Sequence, residues 1–151
     1  MPRIDLTQTL AAPIDACFAI LADHEGYARF RGISRAELIE FGEPDPNGLG
    51  AVRRLASGRL WFDEEITAYE PPRRLDYLIK GTNLPITHRG GSIHLEQLGA
   101  VTHVRWISDF TATGALRTAK GVVLATALRR GFVKMLEDTE RLAQSRDAVP
   151  D

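Results

Sequence analysis

The chain has 151 residues, of which 44% are hydrophobic and 26% charged, and its formal net charge is −1. This length and composition predict one globular domain with an ordinary apolar core. The balanced charge gives no basic surface for nucleic acid, and the longest apolar run, VVLATAL, is too short for membrane insertion.

The amino terminus and the cysteine content indicate a compartment. The opening sequence MPRIDLTQTL lacks the apolar stretch of a secretion signal. The only cysteine, Cys17, cannot form a disulfide within the chain, and its apolar surroundings favour burial. We therefore expect a cytoplasmic protein.

The first third of the chain predicts a strand followed by two short helices. Residues 3–11 alternate in polarity, as a strand does. Pro13 suits the start of a helix, whose apolar face would carry Phe18 and Leu21. The sequence DHEG interrupts this helix, and residues 27–30 give a second short helix or turn.

The rest of the chain predicts six strands and one long helix. A period of two indicates strands at about 34–42, 50–57, 59–70, 73–81, 88–98 and 101–112. Residues 115–144 return to the helical period and predict an amphipathic helix of roughly 45 Å. We expect residues 1–145 to form a single domain and residues 146–151 to be a disordered tail.

The last two strands can be placed in register. Gly99-Ala100 suits a two-residue type II′ turn. Counting outward from it gives an apolar face with the pairs Leu95–Val104, Ile93–Trp106 and Gly91–Ser108, and a polar face with the pairs Glu96–His103 and His94–Arg105. An antiparallel sheet covered on one side shows this division.

Three segments carry a resemblance to a known family. They are GLGAVRRL (48–55), FDEEITAYEPPRRLDYLI (62–79) and GAVTHVRWISDFTA (99–112). With the order of elements, they resemble the START-like helix-grip (SRPBCC) superfamily, and most of all its polyketide cyclase/dehydrase-like group. The resemblance implies an α+β helix-grip fold: a curved seven-stranded antiparallel sheet wrapped around a long C-terminal helix, with two short helices between strands 1 and 2.

The resemblance also implies an apolar cavity between the sheet and the long helix. Strand parity and helical spacing predict its lining, for which the alternative is a solidly packed core. The predicted ligand-binding residues are Phe62, Glu64, Tyr77, Ile79, Ile93, Trp106, Ser108, Phe110, Gly121, Ala125 and Leu128. Trp106 and Phe110 also fit a plain core role.

Glu64 is the sharpest candidate, because it shares the apolar face of its strand. A buried carboxylate needs a partner or a raised pKa. Tyr77 could supply a hydrogen bond, and so could Arg53 if its strand turns that side chain inward. Glu64, Tyr77 and Arg53 are thus the catalytic candidates; the alternative is a bulge that puts Glu64 in water and Glu65 inside.

Cavity glutamates also occur in the abscisic acid receptor branch of the superfamily, in a place that Glu64 matches. The receptors' gate loop is absent, since ASGRLW (56–61) is short and has a different sequence. Hormone reception is therefore not expected.

Ser108 is predicted to be a ligand contact and not a nucleophile, because the register places no histidine beside it. His88 is expected to be exposed to solvent, and Gly90-Gly91 to form a bulge. The apolar tip formed by residues 84–86 is either a lid over the cavity or a dimer contact.

No metal and no cofactor are expected. His94, Glu96 and His103 lie together on the polar face, but cross-strand pairing explains them without a metal. The glycine-rich sequences GLG and GGS are not followed by a helix, so no nucleotide site is expected.

Three functions fit these patterns. The first is binding of a small hydrophobic or amphipathic molecule, such as a lipid, an aromatic polyketide or an isoprenoid. The second is a polyketide cyclase or dehydratase, with Glu64 transferring a proton while Tyr77 or Arg53 polarises a carbonyl. The third is a protein-interaction module that uses the NLPITH loop. We expect a monomer or a homodimer, and the sequence favours binding.

Overall fold

A computed structural model describes residues 3–114 and 119–148, with the backbone alone for 119–121 and 146–148. This part of the chain forms seven strands, two α-helices and one 3-10 helix at Glu25–Arg29. The strands are β1 (Arg3–Leu10), β2 (Arg35–Glu40), β3 (Val52–Ser57), β4 (Leu60–Glu70), β5 (Arg74–Thr82), β6 (Ile86–Leu98) and β7 (Val101–Ala112). The helices are α1 (Ile14–Leu21) and α2 (Ala119–Ala148).

The strands form one antiparallel sheet in the order β1-β7-β6-β5-β4-β3-β2. Strands that follow each other in the chain also pair with each other in the sheet, with one exception. Strands β1 and β2 are connected through the helical segment and lie at opposite edges of the sheet. The register predicted for β6 and β7 is confirmed, including the pairs Ile93–Trp106 and Gly91–Ser108. The two-residue turn with a left-handed Gly99 fixes it.

The core lies between the inner face of the sheet and the helices. Alternate residues of β5, β6 and β7 are buried there, as the period of two predicts. Helix α1 contributes Phe18 and Leu21, and α2 contributes Leu136 and Ala143. Helix α2 packs mainly against β1 and α1.

Asn83 joins two turns at one end of the sheet. Its side-chain oxygen accepts a hydrogen bond from the Trp61 amide at 3.0 Å, and its side-chain nitrogen donates to the Arg59 carbonyl at 2.7 Å. The β3–β4 turn and the β5–β6 loop are therefore held to each other.

Two elements each extend past the core at one end. Leu60 shares the parity of Glu64 but is 36% exposed, because it lies at the hairpin end of β4. Helix α2 extends through Ala148. Residues 115–118, predicted to be helical, and 149–151 lie outside the described residues. Among the helices described, none is long and apolar enough to cross a membrane.

Candidate functional site

Arg53 and Glu64 form a buried ion pair on the inner face of the sheet. They face each other across β3 and β4. Arg53 donates through Nε at 2.9 Å and through Nη2 at 2.7 Å to Oε1 of Glu64. Arg53 is 1% exposed and Glu64 7%. The carboxylate thus lies inside the fold with a cation beside it, and the sequence alternative that placed it in water is wrong.

Two aromatic side chains from the helical segment surround the guanidinium. Its centre lies 4.4 Å from the centroid of the Tyr27 ring, and its Nη1 lies 3.2 Å from Nδ1 of His24. The other ring nitrogen of His24 lies 2.8 Å from the Asn47 carbonyl, to which it must donate, so Nδ1 is the acceptor for Arg53. Burial, followed by the charge of Arg53, lowers the pKa of His24 to about 3.

Arg53 keeps its positive charge in this buried site. Burial alone would lower its pKa, but the Tyr27 and Glu64 side chains outweigh burial and hold the pKa above its ordinary value. His24 is a contact that the sequence did not predict, because DHEG indicates only an interruption of the helix. The position of a histidine at the end of a helix, next to an otherwise apolar segment, was the only available signal.

A second polar cluster lies on β5, β6 and β7. The indole Nε1 of Trp106 donates to the Tyr77 hydroxyl at 2.9 Å. The Ser108 side chain lies beside the Tyr77 hydroxyl, and Ser108 Oγ lies 3.0 Å from Nε2 of His88. Burial, with the charge of Glu64 second, raises the pKa of Tyr77, so the phenol keeps its proton.

His88 is neutral and has a fixed tautomer. The backbone amide of Ile79 donates to its Nδ1 at 3.0 Å, so that nitrogen carries no proton. Nε2 is therefore the protonated nitrogen and donates to Ser108. Burial lowers the pKa of His88 to about 4.

Two glycines of β6 make this cluster possible. A register shift between His88 and Gly90, where Gly90 has a φ of 140°, pairs His88 with Phe110 and turns it to the inner face. A Cβ at Gly91 would overlap the ring of Tyr77, so the tyrosine ring can lie against β6 only because residue 91 has no side chain.

The expectations for this cluster need two corrections. His88 is buried and not exposed to solvent. Ser108 does have a histidine beside it, contrary to the predicted register. The physical reason is the bulge, which reverses the side-chain parity of His88. Because Nε2 of His88 donates, the histidine cannot take a proton from Ser108, and the geometry still gives no activated nucleophile.

The second cluster faces helix α2. The Trp106 ring stacks on Phe132 of α2, with ring centroids 4.1 Å apart. On the same helix Ala125 and Leu128 are only partly buried, whereas Leu136 and Ala143 are fully buried. The amino-terminal half of α2 therefore covers the sheet less completely than the carboxyl-terminal half.

The remaining predicted ligand residues occupy the same face or its margin. Ile93 and Phe110 are buried, and Ile79 is partly buried against the core. Phe62 is partly buried opposite Leu55. Gly121 lies near the start of α2, where the backbone alone is described.

The chemistry of the site is that of an apolar surface with charge-balanced polar groups. Arg53 is matched by Glu64, and the two buried histidines are neutral. Within residues 3–114 and 119–148, no three His, Cys, Asp or Glu side chains cluster closely enough to hold a metal ion. His94 and His103, on the outer face, hydrogen-bond Ser92 and Thr9.

A seven-stranded antiparallel sheet closed by a long C-terminal helix, with polar groups buried between them, defines the helix-grip class of START-like proteins. The sequence model of one family in this class, described as polyketide cyclase / dehydrase and lipid transport, matches residues 1–144. The chain belongs to this family. Among curated proteins, none matches it.

Solved structures share the fold over almost the whole chain. The Zhui aromatase/cyclase from Streptomyces sp. R1128 is 24% identical, with a TM-score of 0.77 and coverage of 95% of this chain and 94% of that one. The protein TTHA0849 from Thermus thermophilus is 14% identical, with a TM-score of 0.78 and coverage of 96% and 99%. A START superfamily protein from Mycobacterium smegmatis is 13% identical, with a TM-score of 0.71 and coverage of 95% of both chains.

Proposed function

We propose that the protein binds a small hydrophobic or amphipathic molecule between the inner face of the sheet and the amino-terminal half of α2. A lipid, an aromatic polyketide or an isoprenoid has the required chemistry. One observation carries the proposal: polar side chains are buried on an inner face whose helical cover stays partly accessible to solvent. Such concave apolar surfaces with a few polar groups are ordinary ligand sites.

The driving force for binding would be removal of apolar ligand surface from water, worth about 25 cal/mol per Å². Trp106, Phe110 and Leu128 would provide apolar contacts, and Glu64 and Tyr77 would orient the ligand. The family description, which joins cyclase, dehydrase and lipid transport, is consistent with such a site.

The alternative is a cyclase or dehydratase that uses the same site. The observation that favours it is a carboxylate and a phenol on one inner face, with an arginine fixed beside the carboxylate. In this alternative Glu64 transfers a proton while Tyr77 or Arg53 polarises a carbonyl. One neighbour in fold is by its own name an aromatase/cyclase.

Native mass spectrometry of freshly purified protein tests the proposal directly. We expect a co-purified apolar molecule, or stabilisation of the empty protein by members of a panel of aromatic and fatty compounds. Absence of both would contradict binding and turnover alike, and would leave a protein-interaction module.

The Glu64→Gln variant separates the two candidates. Under the binding proposal, ligands should bind more weakly to the variant, because Glu64 no longer orients them, and no conversion should be seen in either protein. Under the alternative, the variant should bind a poly-β-ketone substrate and no longer convert it. If neither binding nor turnover changes, Glu64 has no role at the site.

Location and assembly complete the proposal. The buried thiol of Cys17 suits a reducing compartment, so we place the protein in the cytoplasm, which cell fractionation would check. Residues 84–86 would act as a lid on a monomer or as the contact of a homodimer, and light scattering of the purified protein distinguishes these.

A further inference from the structure

The second polar cluster contains more donors than internal acceptors can use. His88 Nε2–H, Ser108 O–H, Tyr77 O–H and Trp106 Nε1–H are four donors. Two hydrogen bonds join them: His88 donates to Ser108, and Trp106 donates to Tyr77. The protons of the two hydroxyls are left over. Because Ser108 lies beside Tyr77, one hydroxyl can donate to the other, which uses only one of these two protons. At least one proton is therefore unused.

The unused proton must belong to a hydroxyl. The ring of His88 can only donate toward Ser108, because the Ile79 amide occupies its other nitrogen. The indole of Trp106 can only donate toward Tyr77. Each hydroxyl thus already accepts a hydrogen bond from a ring nitrogen. Whichever of the two hydroxyls donates to the other, either Ser108 or Tyr77 keeps one O–H free for a further acceptor.

No group in the described part of the chain takes this proton. Among the described residues, the two hydroxyls make no hydrogen bond with any group outside this cluster. A buried hydroxyl proton without an acceptor is costly, by an amount comparable to a lost hydrogen bond.

The position of the hydroxyls points to a ligand as the acceptor. Ser108 follows Trp106 by two residues on β7, so both side chains project from the same face of the sheet. That face meets α2, since Trp106 stacks on Phe132. The free O–H therefore lies on the face where the ligand is proposed to bind.

The charges around the cluster favour a neutral acceptor. Arg53, whose guanidinium lies 5.7 Å from the centroid of the Tyr77 ring, is already paired with Glu64. His88 is neutral, and the Glu64 carboxylate acts on Tyr77 as a negative charge. Because Arg53 and Glu64 neutralise each other, a buried ligand carboxylate would lose its hydration without a free cation to compensate, whereas a ketone oxygen carries no net charge.

We propose that Ser108 and Tyr77 form a hydroxyl-donor site for a neutral carbonyl oxygen of the ligand, with His88 and Trp106 as positioning residues that keep one proton directed outward. This rests on the proposed function, and it adds the chemical class of the group that is recognised. An apolar ligand with a ketone should bind better than the same skeleton without one.

The tricyclic compounds fluorenone and fluorene test this, because they differ by one carbonyl oxygen at nearly constant shape. Titration calorimetry should show about fivefold to tenfold tighter binding of fluorenone to the wild type, as expected for one buried hydrogen bond. The carbonyl stretch of bound fluorenone should move to lower wavenumber. Fluorene-9-carboxylate should bind more weakly than fluorenone.

Variants then assign the donor. Tyr77→Phe with Ser108→Ala should abolish the preference for fluorenone while fluorene still binds, and Ser108→Thr, which keeps the hydroxyl, should retain it. Circular dichroism checks that each variant folds. The comparison of compounds on the wild type holds even if a variant does not.

The outcomes separate the two proposals. Equal binding of fluorenone and fluorene, with an unshifted carbonyl band, overturns the donor site and leaves the binding function intact. Failure of both compounds to bind, together with the wider aromatic and fatty panel, overturns the binding function and the donor site with it.

Discussion

Two arginine–carboxylate pairs stand side by side on β3 and β4 in opposite environments. Arg53–Glu64 is buried on the inner face, whereas Arg54–Asp63, one position along each strand, lies on the outer face with the Arg54 side chain half exposed. Distances are similar, since the shortest contact is 2.7 Å in both. The pairs therefore differ mainly in solvation, which decides the cost of breaking them.

Removing Glu64 should destabilise the protein strongly. Glu64→Ala leaves the guanidinium of Arg53 buried without its counter-charge, and we expect a loss of about 3–5 kcal/mol in the free energy of unfolding. Urea denaturation monitored by circular dichroism measures it. The double variant Arg53→Met, Glu64→Leu should recover most of the loss, because no charge is then left unpaired.

Asp63→Ala on the outer face is the matched control. Water solvates Arg54 after the change, so the loss should be clearly smaller than that of Glu64→Ala. Equal losses for the two variants would show that Arg53 is not held by its buried partner.

Acid should destabilise the fold through its two buried histidines. Their pKa values are lowered from an ordinary 6.5 to about 3 for His24 and about 4 for His88. Below pH 6.5 the unfolded chain takes up protons that the native protein refuses, so stability falls as pH falls. Each residue contributes up to about 1.4 kcal/mol per pH unit, down to its native pKa.

Urea denaturation between about pH 7 and about pH 4.5 tests this dependence. His24→Gln and His88→Gln should each flatten the slope of stability against pH, whatever they do to stability at neutral pH. An unchanged slope in both variants would mean that other groups cause the acid sensitivity.

The sequence predicted part of the site at this scale. Glu64 and Tyr77 follow from strand parity, and Arg53 follows as a partner only if its strand turns it inward. His24 and His88 were missed for different reasons: His24 lies in a segment without periodicity, and the parity of His88 is reversed by an irregularity whose effect on the register the pattern does not show. Local irregularities of the backbone decide whether such side chains face the core, and a regular polarity pattern does not reveal those irregularities.

Strand β6 shows how a single residue controls an element. Its hairpin with β7 was predicted residue by residue from one turn, because a two-residue loop fixes the register of everything that follows. The prediction failed only beyond the bulge at Gly90. Register is thus readable from sequence as far as the first irregularity.

Gly91→Ala and Gly131→Ala should have opposite effects. At Gly91 a Cβ would overlap the Tyr77 ring, so the tyrosine must move; we expect a loss of about 1–3 kcal/mol and disruption of the second polar cluster. At Gly131, within α2, a Cβ meets no atom within 4 Å. There alanine should stabilise the protein by roughly 0.5–1 kcal/mol, through its higher helix propensity.

Thermal denaturation of the two variants tests this pair. Near-ultraviolet circular dichroism should change in Gly91→Ala alone, because only that variant displaces aromatic side chains. A neutral Gly91→Ala would mean that the ring of Tyr77 does not lie against β6 as described.

At the scale of the whole molecule, α2 is fastened mainly by its carboxyl-terminal half. The buried carboxylate of Asp138 accepts hydrogen bonds from the backbone and side chain of Arg31, at 2.8 and 2.9 Å. Further along the helix, the segment after β1 is bound through Glu140 and Gln144 to Ala11. The amino-terminal half contributes the partly buried residues Leu124 and Leu128.

Hydrogen exchange along α2 should follow this division. Backbone amides of residues 132–145 should exchange more slowly than those of residues 122–128, because local opening is easier where less is buried. Mass spectrometry of exchanged peptides measures the difference, and Asp138→Ala should reduce the protection of the second half. Uniform protection along the helix would contradict a loosely held amino-terminal half.

The overall architecture could be predicted from the sequence because several patterns agreed. The change of period from two to 3.6, the turn residues and the terminal amphipathic helix all indicated one sheet and one long helix, and the fold and family are confirmed. The attachment of α2 could not be predicted from the sequence, since it depends on a hydrogen bond between Asp138 and the backbone amide of Arg31, which is distant in sequence. Long-range polar contacts of this kind do not appear as a periodic pattern in the sequence.

The bridge made by Asn83 has a consequence for access to the inner face of the sheet. Because its amide side chain links the β3–β4 turn to the β5–β6 loop, these two segments should move little relative to each other. The amino-terminal half of α2 buries fewer side chains, so it should open more easily than the two linked turns. A ligand of the proposed kind would then leave at a rate set by that opening.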